Sequence, residues 1–201
     1  MSMENWVLIA GGEERVGLAI VRSLGKKGIK CAVLSTTRLG AALYSKYCEK
    51  RIICPSPTVS VLDYLEFLKG LLKSKQYQIL IPASSYHFLP IAENQEKLRE
   101  YINVPIPSAE VIRKAMDKYQ AIALAQNLGI PVPRTIVPKS EKELEEVFYK
   151  WGSPIVIKPR ISIIFAGNRL KSLGRAHVVF SLNEVRQFDF SSGLYLAQEY
   201  V

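Results

Sequence analysis

The chain predicts an α/β fold, a parallel sheet with helical crossovers followed by a smaller α+β portion, and three observations carry that expectation. Before Pro107, short apolar runs of strand length alternate with segments whose apolar residues recur at helical spacing. After Pro107, two helical segments come in succession and strands then group around one helix, so the strict alternation is lost. At 201 residues and 48% hydrophobic content, the chain is long enough for one or two cores. Two domains are expected, 1–107 and 129–201, joined by a helical link at 108–128.

In order along the chain, WVLIA at 6–10 is a continuous apolar strand that meets Gly11-Gly12. A helix follows in which Val16, Ile20 and Leu24 share a face, and Gly28 ends it before a second strand at 31–35. A short strand at 52–54 precedes the Pro55-Ser56-Pro57 punctuation, where proline prevents an interior ladder. Leu62, Leu65, Phe67, Leu68, Leu71 and Leu72 then mark an amphipathic helix, succeeded by a strand at 79–81, a helix over 87–101 and a strand at 104–106. Ser108 suits a cap for a helix at 109–115. The next helix, 117–128, is stopped by Gly129, Pro131 and Pro133. Strands are expected at 135–137, 155–157, 176–180 and 194–200, with an acidic-faced helix at 141–149.

Composition narrows the function. Charged residues are 22% and no repeat appears, so the chain is expected to be globular. Three cysteines without a CxxC pair do not form a disulfide or zinc framework, and His87 and His177 lack metal-ligand spacing. No apolar run approaches the roughly 18 residues of a membrane span and no signal pattern opens the chain, so a cytoplasmic location without a membrane partner is expected. The 27 basic residues exceed the 18 acidic ones by nine, and the excess is concentrated. From 147 to 183 there is no carboxylate, whereas Lys150, Lys158, Arg160, Arg169, Lys171 and Arg175 all fall there, implying an anionic partner. A nucleic-acid patch would usually interleave aromatics with these charges, and only Trp151, Phe165 and Phe180 are near, which favours a polyphosphate.

Gly11-Gly12, between strand and helix, invites a dinucleotide reading. The spacing fails, since Glu13 and Val16 stand where GxGxxG needs glycine, and Glu13-Glu14 put negative charge where a phosphate would dock. The second strand ends in Leu34-Ser35-Thr36-Thr37, with no acid for a ribose hydroxyl.

The last third carries a different pattern. Asp117-Lys118 opens a helix, GIPVP follows at 129–133, IVIKP carries Lys158, and QEYV occupies 198–201. Together these segments resemble the first half of the nucleotide site of ATP-grasp enzymes, the group of ATP-dependent carboxylate–amine ligases that includes carbamoyl-phosphate synthase. The resemblance implies a Rossmann-like pre-ATP-grasp domain that binds no dinucleotide, then the first α+β subdomain of the ATP-grasp fold. It implies that Lys118 and Lys158 reach the phosphates of ATP. It also implies that 198–201, beginning at Gln198, holds adenine through the Glu199 carbonyl and the Val201 amide. In the family the loops at 11–15 and 83–87 help enclose the acceptor substrate. The glycine-rich phosphate loop of most members corresponds here to 161–175, with glycine only at Gly167 and Gly174, and Arg169 and Lys171 are candidates to supply charge in its place. Magnesium ligands are expected in a later half that would follow Val201. The implied reaction joins a small carboxylate to an amine through an acyl phosphate, with this chain as its N-terminal fragment, inactive alone. The alternatives are a non-catalytic nucleotide-binding or assembly module and, less favoured, a nucleic-acid binder. A strand at 194–201 left without its sheet neighbours would pair with another copy or with a separately encoded C-terminal half.

Overall fold

The structure, a computed structural model, describes residues 6–74, 76–185 and 187–201. Two compact units divide it, residues 1–109 with 165–171, and residues 110–164 with 172–201.

The first unit is built on β1 (Trp6–Ala10), β2 (Lys30–Ser35), β3 (Cys48–Ile53) and β4 (Tyr77–Pro82), all parallel, in the order β3-β2-β1-β4. Parallel neighbours need crossovers, supplied by α1 (Arg15–Gly25), the 3-10 turn Ala41–Tyr44 and α2 (Val61–Leu72). β1 and β2 are buried at nearly every position, which requires cover on both faces and explains why they read as unbroken apolar runs. Val7, Ile9, Cys31 and Val33 form one core with Val21 of α1 and with Ala42 and Leu43 of the turn. Of the stripe expected for the helix, Ile20 and Leu24 pack against this core while Val16 is exposed, and Gly17 and Val21 are its most buried positions. Glycine permits that approach, because a Cβ on Gly17 would lie 2.3 Å from the Gly11 carbonyl oxygen and one on Gly12 would lie 2.5 Å from Val33 Cγ1.

Three local departures have physical causes. β3 runs from Cys48 rather than 52, since an edge strand tolerates the exposed Glu49, Lys50 and Arg51 that hide it from an apolar-run reading. The helix expected over 87–101 is α3 (Ser85–Glu93) and α4 (Gln95–Arg99). Asn94 breaks it: its side-chain amide donates to the Pro90 carbonyl, while its backbone N–H tightens onto Ile91. The strand expected at 104–106 is only a bridge from Ile79 to Asn103.

Residues 165–171 belong to a hairpin of β7 (Ile163–Ala166) and β8 (Arg169–Ser172), where no regular structure was expected. Within the first unit its turn residue Asn168 completes the start of α2. The Asn168 carbonyl accepts from Val61 N at 2.8 Å, its Oδ1 accepts from Leu62 N at 2.9 Å, and Ser60 Oγ takes Asp63 N at 3.1 Å. The first three N–H groups of the helix are thereby satisfied.

The second unit begins with α5 (Ala109–Met116), whose first residue lies in the first unit, and α6 (Lys118–Asn127). β5 (Thr135–Ile136), β6 (Ile155–Pro159), β9 (His177–Val179) and β10 (Tyr195–Glu199) make an antiparallel sheet in the order β5-β10-β6-β9. α7 (Glu141–Trp151) and α8 (Leu182–Val185) cover one face, where Leu144, Ile155, Ile157, Val179, Val185, Phe190 and Ala197 form the core. β10 corrects an expectation from the sequence. It lies between β5, which pairs at Ala197 and Gln198, and β6, which pairs along its whole length, so it is not a strand left without sheet neighbours.

Candidate functional site

Strand alternation decides which residues of the second unit face away from its core. On β6, Ile155 and Ile157 point into the core, so Lys158 belongs to the other face, beside Leu196 and diagonal to Gln198 on β10. Lys158 Nζ donates to Gln198 Oε1 at 2.6 Å. Gln198 is 8% exposed, and its Nε2 donates to Thr135 Oγ1 at 2.8 Å.

Lys118 comes from the start of α6, where Asp117 is the N-cap and accepts from the backbone N–H groups of Tyr119 and Gln120. The same carboxylate is only 4% exposed and holds Arg160 in a fork, with Nε at 2.8 Å from Oδ1 and Nη2 at 2.6 Å from Oδ2. Arg160 closes the loop by accepting Lys118 N–H on its carbonyl at 3.0 Å. The ammonium of Lys118 then donates to Pro159 O and Ser162 Oγ, each at 2.9 Å, next to Lys158 in the chain.

Among the described residues, neither lysine ammonium forms an ion pair with a carboxylate. Partial burial lowers the pKa of both, and the charge of Lys158 lowers that of Lys118 further. The charge of Asp117 offsets this for Lys118 only in part, and two neighbouring cations without a direct carboxylate partner are stabilised by an incoming anion.

The other candidates fall as follows. Glu199 closes β10, with its carboxylate accepting from Arg134 N at 2.9 Å and from the Arg134 guanidinium. Val201 lies beyond the strand and is exposed. Arg169 and Lys171 are exposed on β8 in the first unit, and the lysine arrangement of the second unit is built without them. Among the described residues, no group of three or more His, Cys, Asp or Glu side chains could hold a metal ion.

The first unit has a separate polar feature at the carboxyl ends of its strands. The Gly11 and Gly12 amides both donate to the Leu34 carbonyl, at 3.0 and 2.9 Å, and are therefore not presented to a pyrophosphate. Glu13 accepts from His87 Nε2 at 2.7 Å, Ser35 Oγ at 3.1 Å and Thr36 N at 3.3 Å, and His87 Nδ1 meets the Tyr64 hydroxyl at 2.9 Å. Glu13 lines a cavity of about 280 Å³ with Glu14, Thr36, Ser56, Thr58 and Tyr86. The sequence separation of 74 residues left the Glu13–His87 pair unreadable in advance.

Burial alone would raise the Glu13 carboxyl, but the hydrogen bond and charge of His87, helped by the Thr36 amide, bring it down to about 2 from 4.5. A carboxylate depressed in the folded state gives stability that is present above its unfolded value and lost as pH falls from about 4.5 to about 2. Glu13→Gln is expected to cost about 2–3 kcal/mol at pH 7 and progressively less below pH 4.5, read from urea unfolding at both ends of that range.

Comparison with known proteins agrees with this architecture. Over its whole length the chain superimposes on solved enzymes built from the same two parts in the same order. One is an N5-carboxyaminoimidazole ribonucleotide synthetase in complex with ADP, with a TM-score of 0.69 at 16% identity, covering 98% of this chain and 47% of that one. The chain has the fold of the N-terminal half of an ATP-grasp enzyme. The carboxyaminoimidazole ribonucleotide synthase of Aspergillus clavatus complexed with ATP gives 0.66 at 16% identity, with 100% and 48% covered. The biotin carboxylase domain of Hydrogenobacter thermophilus 2-oxoglutarate carboxylase, with MgADP and bicarbonate, gives 0.65 at 18%, with 100% and 45% covered. In sequence, the carbamoyl phosphate synthase large chain of Methanosphaerula palustris is 33% identical over 86 residues, 43% of this chain and 7% of that protein. No family model matches. The chain spans about half the length of these solved ATP-grasp structures.

Proposed function

We propose that the second unit binds the phosphates of ATP through Lys118 and Lys158, and that the chain is the N-terminal portion of an ATP-dependent carboxylate–amine ligase acting through an acyl phosphate. The observation that carries this reading is that the ammonium groups of Lys118, at the start of α6, and Lys158, on β6, lie close enough for the charge of one to lower the pKa of the other, and neither forms an ion pair with a carboxylate among the described residues. Their part in the chemistry is positional and electrostatic: they hold the phosphates in place and offset charge as the γ-phosphoryl group leaves. Adenine would lie along 198–201, where backbone groups of a strand end can match its adjacent donor and acceptor. The acceptor substrate belongs in the cavity of the first unit, whose two glutamates suit an amine better than a second anion.

Calorimetric titration with ATP tests the binding, and release of ADP in the presence of small carboxylates tests the reaction. Saturable ATP binding without turnover by this chain alone is the expected outcome. Because phosphate binds the charged lysines, ATP affinity should fall as pH rises through their lowered pKa values, with proton uptake on binding in that range. Affinity that is flat across the alkaline range, or that rises there, would contradict the lysine assignment.

A further inference from the structure

The mixture of basic and aromatic residues that nucleic-acid binding calls for is sparse over 147–183 but dense at 44–51. That segment, YSKYCEKR, holds two tyrosines and three cations around a single carboxylate, Glu49. It closes the 3-10 turn and opens β3, the edge strand of the first unit's sheet. Each cation lies against a ring. Lys46 Nζ is 5.1 Å from the Tyr47 ring centroid, Lys50 Nζ is 5.7 Å from that of Tyr77, and the Arg51 guanidinium is 5.4 Å from that of Tyr44. Lys50 and Arg51 are adjacent on an extended strand and leave opposite faces of the sheet, so the strip continues around its edge.

All three cations are exposed, and among the described residues none of them forms an ion pair with a carboxylate. A ring steadies a cation through its face without consuming N–H donors, so the donors remain for an anion. Lys50 gives one of its donors to Gln76 Oε1 at 3.2 Å. Tyr44 is 62% exposed, and its hydroxyl donates to the Arg38 carbonyl at 2.9 Å, which fixes a large aromatic surface beside the charges. We propose that this edge strip binds single-stranded nucleic acid, with Lys46, Lys50 and Arg51 on backbone phosphates and the Tyr44 ring under a base. An acidic peptide would use the charges and leave the exposed ring without a task. The strip uses none of the residues assigned to ATP or to the acceptor substrate, so the inference goes beyond the ligase reading and does not rest on it.

The test is fluorescence anisotropy of a labelled oligouridylate titrated with the full chain over a range of salt concentrations, with labelled polyglutamate in parallel. Saturable binding of oligouridylate that weakens as salt rises is expected, with polyglutamate bound much less tightly. Replacing Lys46, Lys50 and Arg51 together with alanine should weaken binding by about a hundredfold. It should also flatten the slope of log affinity against log salt by about 0.7 for each cation removed. Tyr44→Leu keeps every charge and should weaken binding roughly fivefold or more with the salt slope unchanged, a split that general charge attraction would not produce. The triple variant should bind ATP as the parent chain does. Thermal melting checks folding, and Tyr44→Leu alone decides the matter if the triple variant melts early. Absence of oligouridylate binding at low salt, variants that bind it like the parent, or polyglutamate bound as tightly would overturn the proposal and leave the ATP reading intact. Loss of ATP affinity in a folded triple variant would also overturn it, by making the strip part of a nucleotide site.

Discussion

Replacing Lys158 with alanine is expected to weaken ATP binding by about 1.5–3 kcal/mol, roughly ten- to a hundredfold, without unfolding the chain. The magnitude follows from loss of one charge-assisted contact in a partly desolvated position, where burial already lowers the lysine pKa. The fold should survive, because the side chain lies on the face opposite the core formed by Leu144, Ile155 and Ile157. Removing an unneutralised cation also relieves its repulsion with Lys118, so unliganded stability should hold or rise slightly. Lys118→Ala should cost less affinity, since that ammonium is partly occupied by the Pro159 carbonyl and the Ser162 hydroxyl. Calorimetry on the three proteins checks the ranking, and equal affinity for all three would refute it.

Asp117→Ala carries the largest expected loss of stability, about 3 kcal/mol. Two roles end together: the cap on the backbone N–H groups of Tyr119 and Gln120, and the nearly buried partner of Arg160. Arg160 is 32% exposed, so water recovers part of its solvation and the cost stays at the low end for breaking such a pair. Burial works to raise the Asp117 carboxyl, and the hydrogen bonds from Arg160 and Gln120 overcome it to hold the group below its usual range. The stabilisation is therefore complete above the ordinary carboxylate range and fades as pH falls through the lowered value. Asp117→Asn retains an acceptor for the cap and should cost less. Urea unfolding of both variants measures the difference, and an Asp117→Ala midpoint equal to that of the parent chain would contradict the structural assignment.

How legible these features were in the sequence depended on how local their causes are. β1, β2 and α2 announce themselves because both faces of a central strand, or one stripe of a helix, must be apolar wherever the chain is covered. Asp117-Lys118 and IVIKP pointed to the lysines through their resemblance to the ATP-grasp pattern, and the cap at Asp117 and the strand carrying Lys158 are local enough to be placed from the sequence. Their supports were hidden: Arg160 is 43 residues from Asp117, and Thr135 is 63 from Gln198. Side-chain pairing at such separations leaves no periodic trace. The β7–β8 hairpin did leave a signal, the two-residue Gly167-Asn168 turn between strand-compatible runs, and Gly167 does adopt a φ of 62°. The charge of Arg169 and Lys171 drew attention from that turn.

In the proposed function the ammonium groups of Lys118 and Lys158 receive the phosphates of a nucleotide. Resonances of the lysine ammonium groups, followed by NMR during titration with ATP and, separately, with adenosine, test it most directly. Saturable shifts of both lysines with ATP, and little change with adenosine, are predicted. Unperturbed Lys118 and Lys158 signals at ATP concentrations that saturate other resonances of the chain would contradict it.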